Sequence, residues 1–353
     1  MYFNWRPDFD PKTVSREIEI IGNDLHCNAI RITGLDIKRL IVATEIALKQ
    51  GLEVWLLPTM WSKKQDQTLA YTLKVAESAE KLRQMYPERL VFVVGGELTL
   101  FMNGIVEGRN VMERMTKLMT KYRQQENPAG QANVVEGISR LQGAEHNKIL
   151  RAYLQKAANS VRQVFHGKMT YASLLWESVD WSLFDFVGVD HYRAERIKQQ
   201  YAEVLKSSFA YGKPVVVTEF GMPTYKGAEI NGAGLGGNII DDKSQAFHHL
   251  LPLIGRFIRP KLTGNHVRDE GLQARELVDQ LSVLDKAGVY GAFVSVFVSQ
   301  IHPYDENPRY DLDMASMSLV KSYPQGRRGT TYPDMNWEPK ESFRAVANYY
   351  DKN

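Results

Sequence analysis

The stretch VFVVGGELTLF, residues 91–101, decides how this chain is read. A run of apolar residues ends in Gly95 and Gly96. A single acid, Glu97, follows, and the chain then turns apolar again. The stretch KPVVVTEFGMP, residues 213–223, repeats the arrangement around Glu219. A strand that is apolar on both faces, without polar alternation, suits a parallel sheet covered by helices. An acid at the tip of such a strand calls for a reason.

Working outward, strand-length apolar runs recur at 1–4 (MYFN), 27–33 (CNAIRIT), 52–57 (LEVWLL), 90–95, 168–173 (KMTYAS), 184–190 (FDFVGVD), 213–219 and 290–298. The segments between them carry helix signals. In DPKTVSREIEII, Asp10 stands as N-cap and Pro11 at the first helical position, with Val14, Ile18 and Ile21 on one face. In DIKRLIVATEIALKQG, Asp36 starts the helix, Gly51 stops it, and Ile37, Leu40, Ile41 and Leu48 point inward. Residues 65–86, 147–165, 197–210 and 268–287 read similarly, and EPKESFRAVANYY places Phe343, Val346, Ala347 and Tyr350 on one stripe. Eight strands alternating with helices predict an α/β protein, a single (β/α)8 TIM barrel over residues 1–353. Long loops follow the fourth, seventh and eighth strands, at 123–146, 221–242 and 299–338. A doubly wound open sheet is the alternative, but no glycine fingerprint lies between the first strand and first helix.

Bulk composition excludes several classes. Of 353 residues, 44% are hydrophobic and 24% charged, ordinary for a globular protein. A net charge of +3 is too mild to imply nucleic acid or an anionic membrane. The lone cysteine, Cys27, permits no intrachain disulfide and reads as a small buried hydrophobe. No run approaches the ~20 apolar residues of a membrane span, and MYFNWRPDFD has no signal-peptide pattern. The expectation is a cytoplasmic protein. Its oligomeric state is left open.

Parallel barrel strands converge at their C-terminal tips, where barrel active sites are built. The tips place Asn4, Trp5, Arg31, Thr33, Trp61, Glu97, Trp176, Glu177, Asp190, His191, Tyr192, Glu219, Phe297 and His302 around one mouth. Carboxylates for proton transfer and nucleophilic attack, with flat aromatics for pyranose faces, are what sugar chemistry requires. Glu97 and Glu219 lie on opposite sides of the ring and face each other. Trp61 and Trp176 are the candidates for stacking on a small-molecule or oligosaccharide substrate, Glu177 is a third mouth carboxylate or a helix-start acid, and His191 is a candidate for substrate hydroxyls. Asp305, Glu306, Asp311 and Asp313 read as a solvated acidic lid paired with Arg309; they lack EF-hand spacing, and no metal is expected. GAGLGGN, residues 232–238, reads as a flexible lid: no Lys-Ser or Lys-Thr follows it, so it is no P-loop, and no cofactor is expected. His248 and His249 point apart on a helix and read as structural.

VVGGELT and VVVTEFG resemble the clan A glycoside hydrolases, retaining (β/α)8 enzymes with the acid/base on strand four and the nucleophile on strand seven. NAIRIT resembles that clan's strand-two arginine segment, and FDFVGVDHYR its strand-six segment ending in an aromatic. Across most of the chain, LHCNAIRITG, GGELTLFMNGIVEG, WESVDWSLFDFVGVDHYR, TEFGMPTYKGA and YPDMNWEPKESFRAVA resemble bacterial proteins labelled abortive infection proteins, a label that names a phenotype rather than a reaction. The clan resemblance implies Glu97 as acid/base and Glu219 as nucleophile, with Arg31 orienting Glu219 and Tyr192 hydrogen-bonded to it. Two positions depart from the clan. Gly96 stands where an asparagine binds the sugar 2-hydroxyl, and Phe297 stands nearest to where a tryptophan ends strand eight. The alternatives are a lyase or isomerase acting on a phosphorylated or natural-product substrate, and a barrel retained as a binding or phage-defence module.

Overall fold

The computed structural model describes residues 6–125, 134–232, 239–241, 244, 259–324 and 326–352. Seven parallel strands form a nearly closed barrel: β1 (Ala29–Gly34), β2 (Glu53–Pro58), β3 (Leu90–Gly96), β4 (Lys168–Leu174), β5 (Val187–Asp190), β6 (Val215–Phe220) and β7 (Gly291–Val294), each bonded to the next in sequence. The strand expected at 1–4, with Asn4 and Trp5, lies outside the described residues, as do residues 233–238 of the glycine-rich stretch, His248 and His249.

The unalternating strand sequences are explained by two cores. Trp55 and Leu57 of β2, Val91 and Val93 of β3, Ala172, Phe186 and Val216 fill the barrel interior. The residues between them, such as Val54, Leu56, Phe92 and Val94, pack outward against the helices. Successive side chains of a strand point to opposite faces, so both sets must be apolar.

The helices cap as their sequences predict. Asp10 accepts from the Thr13 amide at 2.9 Å to start Pro11–Asn23, and Asp36 accepts from the Arg39 amide at 2.9 Å to start Ile37–Lys49. Helices Gln65–Met85, Glu145–Arg162, Glu270–Lys286 and Glu341–Tyr350 follow the predicted spans within a few residues. The span 197–210 does not form one helix. It breaks into short turns (Glu195–Gln200, Glu203–Leu205, Lys206–Phe209), because Tyr201 is drawn inward and its hydroxyl donates to the His191 carbonyl at 2.8 Å. The loop expected at 123–146 is largely helical on either side of residues 126–133, as Val111–Gln125 and Val134–Gln142.

The last strand is shorter than its apolar run. After Val294 the backbone leaves the sheet and pairs elsewhere: the Leu319 and Val320 amides donate to the carbonyls of Val296 and Phe297 at 3.1 and 3.2 Å. Beyond it lies a small antiparallel pair, β8 (Val320–Ser322) with β9 (Trp337–Pro339), that the sequence pattern did not announce.

The acids of this final loop are not a solvated lid paired with Arg309. Asp311 and Asp313 are buried, and Arg268 bonds both, at 3.0 and 2.8 Å. Lys340, itself 1% exposed, reaches Asp313 at 2.8 Å and the Thr224 hydroxyl at 2.9 Å. Asp305 pairs with Arg259 and Glu306 with Arg327. Buried carboxylates need such partners, because an unpaired charge in the interior costs several kcal/mol. Among the described residues, no helix is long and apolar enough to cross a membrane.

Candidate active site

The strand register slips at one end of three pairs, between Val93 and Gly96 against β4, between Val189 and Asp190 against β6, and between Val217 and Phe220 against β7. Such irregularities re-aim side chains next to active sites. Here they lie where Glu97, Asp190 and Glu219 stand.

Glu97 leaves β3 with a left-handed backbone (φ 49°, ψ 42°) and heads the one-turn helix Leu98–Phe101. A non-glycine residue held there costs of order 1–3 kcal/mol, so its surroundings must over-determine it. They do. The Glu97 amide donates to the Ala172 carbonyl at 2.9 Å. The Leu98 amide donates to the Tyr171 hydroxyl at 2.8 Å, and both the amide and hydroxyl of Thr99 donate to Glu177, at 2.9 and 2.7 Å. A Cβ at Gly96 would stand 3.4 Å from both Ala172 Cβ and Leu57 Cδ2, in close contact with apolar side chains. Position 96 therefore faces packed apolar side chains, and no polar group projects from it.

Glu219 stands on β6 beside Asp190 of β5. Arg31, on β1, forms an ion pair with its Oε1, and the Tyr192 hydroxyl donates to its Oε2; Ser295 Oγ lies 3.4 Å from the same oxygen. Oxygens of Glu97, Asp190 and Glu219 all lie within 4.8 Å of one another.

The environments of these acids differ. Glu97 has its pKa raised well above the ordinary carboxylate value, first by burial of the carboxyl, then by the negative charges of Asp190 and Glu177. Asp190, 3% exposed, is also raised by burial, against the opposing pull of Arg31 and of the Thr218 hydroxyl, which donates to it at 2.6 Å. Glu177 is pushed up to about 7 by burial, although four donors favour its anion.

The structure brings Arg31, Glu97, Asp190, Tyr192 and Glu219 together. Glu177 is not a mouth carboxylate. It is 3% exposed and braces the Glu97 turn from below, through Thr99, the Tyr171 hydroxyl at 2.9 Å and the Leu174 amide at 3.0 Å. His191 is wholly buried: its ring stacks on Tyr201 at 4.0 Å, and Nε2 donates to the Tyr201 carbonyl at 2.7 Å. It presents no edge to a substrate, because it alternates with Asp190 and Tyr192 along an extended chain and so faces the other way. Phe297 turns to the core, edge-on to Trp337 at 5.3 Å, and offers no sugar platform. His302 bonds Ser299 Oγ through Nδ1 at 3.0 Å, and burial pushes its pKa down to about 4. The Trp176 carbonyl accepts from Asn147 at 3.0 Å, while its ring packs against the core from a half-buried position. Trp61 stacks on Phe101 at 4.6 Å, with planes 12° apart. The loops carrying that pair are joined by Arg114, fully buried, which donates to the Leu100 carbonyl at 2.5 Å and to the Ser62 hydroxyl at 3.4 Å.

Sequence reasoning missed Thr218, Ser295 and Tyr171. Thr218 had a signal, a hydroxyl inside the apolar run VVVTEF. The three clustered carboxylates could also hold a divalent cation, although both oxygens of Glu219 already receive donors from Arg31 and Tyr192.

No family model matches the chain, and no curated protein matches it in sequence. Solved structures do match. A GH113 β-1,4-mannanase complex superposes with a TM-score of 0.56 at 12% identity, covering 97% of this chain and 94% of that one. The GH113 β-mannanase AaManA from Alicyclobacillus acidocaldarius, in complex with ManMIm, gives 0.55 at 12% identity over 99% and 93%. A GH2 β-galacturonidase from Eisenbergiella tayi gives 0.56 at 12% identity, over 98% of this chain and 48% of that one. The fold is that of the glycoside hydrolase TIM barrels.

Proposed function

We propose that this chain is a retaining glycoside hydrolase. Glu219 attacks the anomeric carbon while Glu97 protonates the departing glycosidic oxygen, and Glu97 then deprotonates the water that releases the sugar. The observation that carries this reading is the approach of the two acids to within 4.8 Å in unlike settings. An approach of single carboxyl oxygens that close is compatible with the ≈ 5–5.5 Å carboxyl spacing of retaining enzymes and lies on the short side of the ≈ 6.5–9.5 Å that inversion uses. Burial and neighbouring anions keep a proton on Glu97, as an acid catalyst requires. Arg31 and Tyr192 hold Glu219 at a fixed angle, as a nucleophile requires. The glycosidase titles of structures with the same fold support the assignment.

The substrate departs from the common pattern. With Gly96 hemmed by Leu57 and Ala172, the 2-position of a bound sugar gets no ligand from position 96, and Phe297 gives it no platform. Trp61, Trp176 and His302 remain as outer contacts for an oligosaccharide. The test is a panel of aryl glycosides differing at C2, followed by Glu219→Gly and Glu97→Ala with added azide. Glu219→Gly should yield a glycosyl azide of inverted configuration, and Glu97→Ala one of retained configuration. Wild-type turnover by Glu219→Gly without azide would sink the assignment.

A second reading draws on the same cluster: a lyase or isomerase using a divalent cation on Glu97, Asp190 and Glu219. Activity abolished by a chelator and restored by magnesium or manganese would favour it.

A further inference from the structure

Trp55, Trp176, Trp181 and Trp337 pack into or against the two cores. Trp61, among the described residues, belongs to neither. It is half-buried just beyond β2 and lies flat on Phe101, also half-buried, at 4.6 Å. Single exposed aromatics are ordinary on protein surfaces, but this pair is fixed by a web of bonds across two loops. The Ser62 amide donates to the Phe101 carbonyl at 2.7 Å, and the Asn103 amide to the Lys63 carbonyl at 3.0 Å. The Asn103 side chain donates to the Ser62 carbonyl at 2.8 Å and accepts from Arg114 at 2.9 Å. Arg114 is fully buried and serves both loops at once. Ser62 has a left-handed backbone (φ 54°), which a non-glycine residue keeps only where its surroundings impose it.

The place of the pair in the mouth is set by the chain. Phe101 closes the turn that Glu97 opens, and its amide donates to the Glu97 carbonyl at 3.0 Å. Trp61 arrives from the end of β2, the strand paired with β3. Glu219 stands across the ring on β6 and is held by Arg31 of β1 and by Tyr192, just past β5. The two acids divide the mouth, and the aromatic pair belongs to the Glu97 side. Retaining displacement gives that side a meaning. The nucleophile attacks the anomeric carbon from the face opposite the departing oxygen, and the acid protonates that oxygen. The other bond of the oxygen leads to the leaving group, so the leaving group lies beyond Glu97 and away from Glu219.

We infer that Trp61 and Phe101 form the leaving-group subsite: a flat apolar platform for the ring bonded to the glycosidic oxygen, whether a pyranose or an aryl group. The inference rests on the glycosidase reading and deepens it, by naming the side of the scissile bond that the enzyme reads by stacking. A pyranose face and an aryl face offer an indole the same chemistry, a flat apolar surface. The bonds from Ser62 and Phe101 tie the platform to the turn that carries Glu97. A ring seated there is therefore held at a fixed position relative to the proton donor, and its binding aligns the glycosidic oxygen with the acid.

The test is Trp61→Ala, with Trp61→Phe beside it to keep a flat ring. Because Trp61 lies outside both cores, Trp61→Ala should melt within about 2 °C of wild type. The probes are p-nitrophenyl glycosides, β-1,4-linked disaccharides and glycosyl fluorides of glucose, galactose and mannose; fluoride is a leaving atom too small to stack. The ratio of kcat/KM on the p-nitrophenyl glycoside to that on the fluoride should fall about three- to tenfold in Trp61→Ala and be largely kept by Trp61→Phe. The same fall on the disaccharide identifies a sugar ring on the platform, and a fall confined to the p-nitrophenyl glycoside identifies an aryl group. An unchanged ratio overturns the inference, while the cleavage that reveals it upholds the glycosidase reading. Calorimetric titration separates the converse. In Glu219→Gln protein, adding Trp61→Ala should weaken binding of the p-nitrophenyl glycoside about three- to tenfold, and of the methyl glycoside of the same sugar far less. If wild-type protein cleaves none of the probes and this difference holds, the ring platform stands and the glycosidase reading falls. If both glycosides lose affinity alike, or neither binds, the inference falls whatever the activity.

Discussion

Replacing Glu177 by alanine should unseat the turn that carries Glu97. The carboxylate is 3% exposed and takes four donors: the Thr99 amide and hydroxyl at 2.9 and 2.7 Å, the Tyr171 hydroxyl at 2.9 Å and the Leu174 amide at 3.0 Å. Alanine strands all four. At roughly 1 kcal/mol of net stability per donor, the loss is about 4 kcal/mol, near the upper end of what single substitutions cost. An unfolding entropy of ~2.1 cal/mol/K per residue over 353 residues comes to about 0.7 kcal/mol/K. The melting temperature should therefore fall by about 5–6 °C. Calorimetry at pH 6 reads this loss below the value of about 7 to which burial pushes this acid, above which the buried anion itself costs stability and offsets part of the loss. Glu113→Ala is the control: its ion-pair partner Arg109 is 90% exposed, and such a change shifts stability by no more than about 0.5 kcal/mol. Glu177→Gln, which keeps one acceptor oxygen, should lose about half as much as alanine. A Glu177→Ala protein melting within about 1 °C of wild type would refute the account of a braced turn.

Three further outcomes are expected. Tyr192→Phe removes one donor from Glu219 and should lower kcat/KM about tenfold while leaving the melting temperature nearly unchanged, a split that steady-state kinetics and calorimetry together resolve. Gly96→Asn, which installs the clan residue, should destabilise by about 1 kcal/mol or more, because its polar side chain would enter the apolar contacts of Leu57 and Ala172; a denaturant titration reads this directly. His191 should make the fold acid-sensitive: its folded pKa, pushed down to about 4, lies below its unfolded value of 6.5, so the unfolded chain takes the proton first. Stability is then full above about pH 6.5 and declines as pH falls toward about 4, by up to about 3 kcal/mol, and His191→Gln should flatten melting curves across that window.

The barrel was legible because parallel strands leave a strong mark. VFVV and PVVV need no partner to be read as buried on both faces, and the caps at Asp10 and Asp36 are local. What escaped depends on distant contacts. The run 290–298 looks like one strand, but Val296 and Phe297 are claimed by Leu319 and Val320, and only the folded chain reveals that competition. The break within 197–210 follows from Tyr201 being drawn to His191. In the site, Glu97 and Glu219 stood out by position alone. Asp190, His191 and Tyr192 came as a block, and strand alternation splits them: the first and third face Glu219, the second faces the core. Glu177 was visible as an acid after a strand, but only its partners Thr99 and Tyr171 tell whether it looks up into the mouth or down beneath it.

Lys340 gives the mouth a place in time. Its buried ammonium joins Thr224, beyond β6, to Asp313, beyond β7, and so adds a late tie to loops already linked by the Thr224 amide, which donates to the Met314 carbonyl at 3.0 Å. A chain made from its N-terminus extrudes all seven strands before that residue. During synthesis, then, the barrel staves and both acids are present before this tie can form. A nascent chain halted before Lys340 should carry both carboxylates but lack the last buried charge that ties these loops, so the rim should tighten late in synthesis rather than strand by strand.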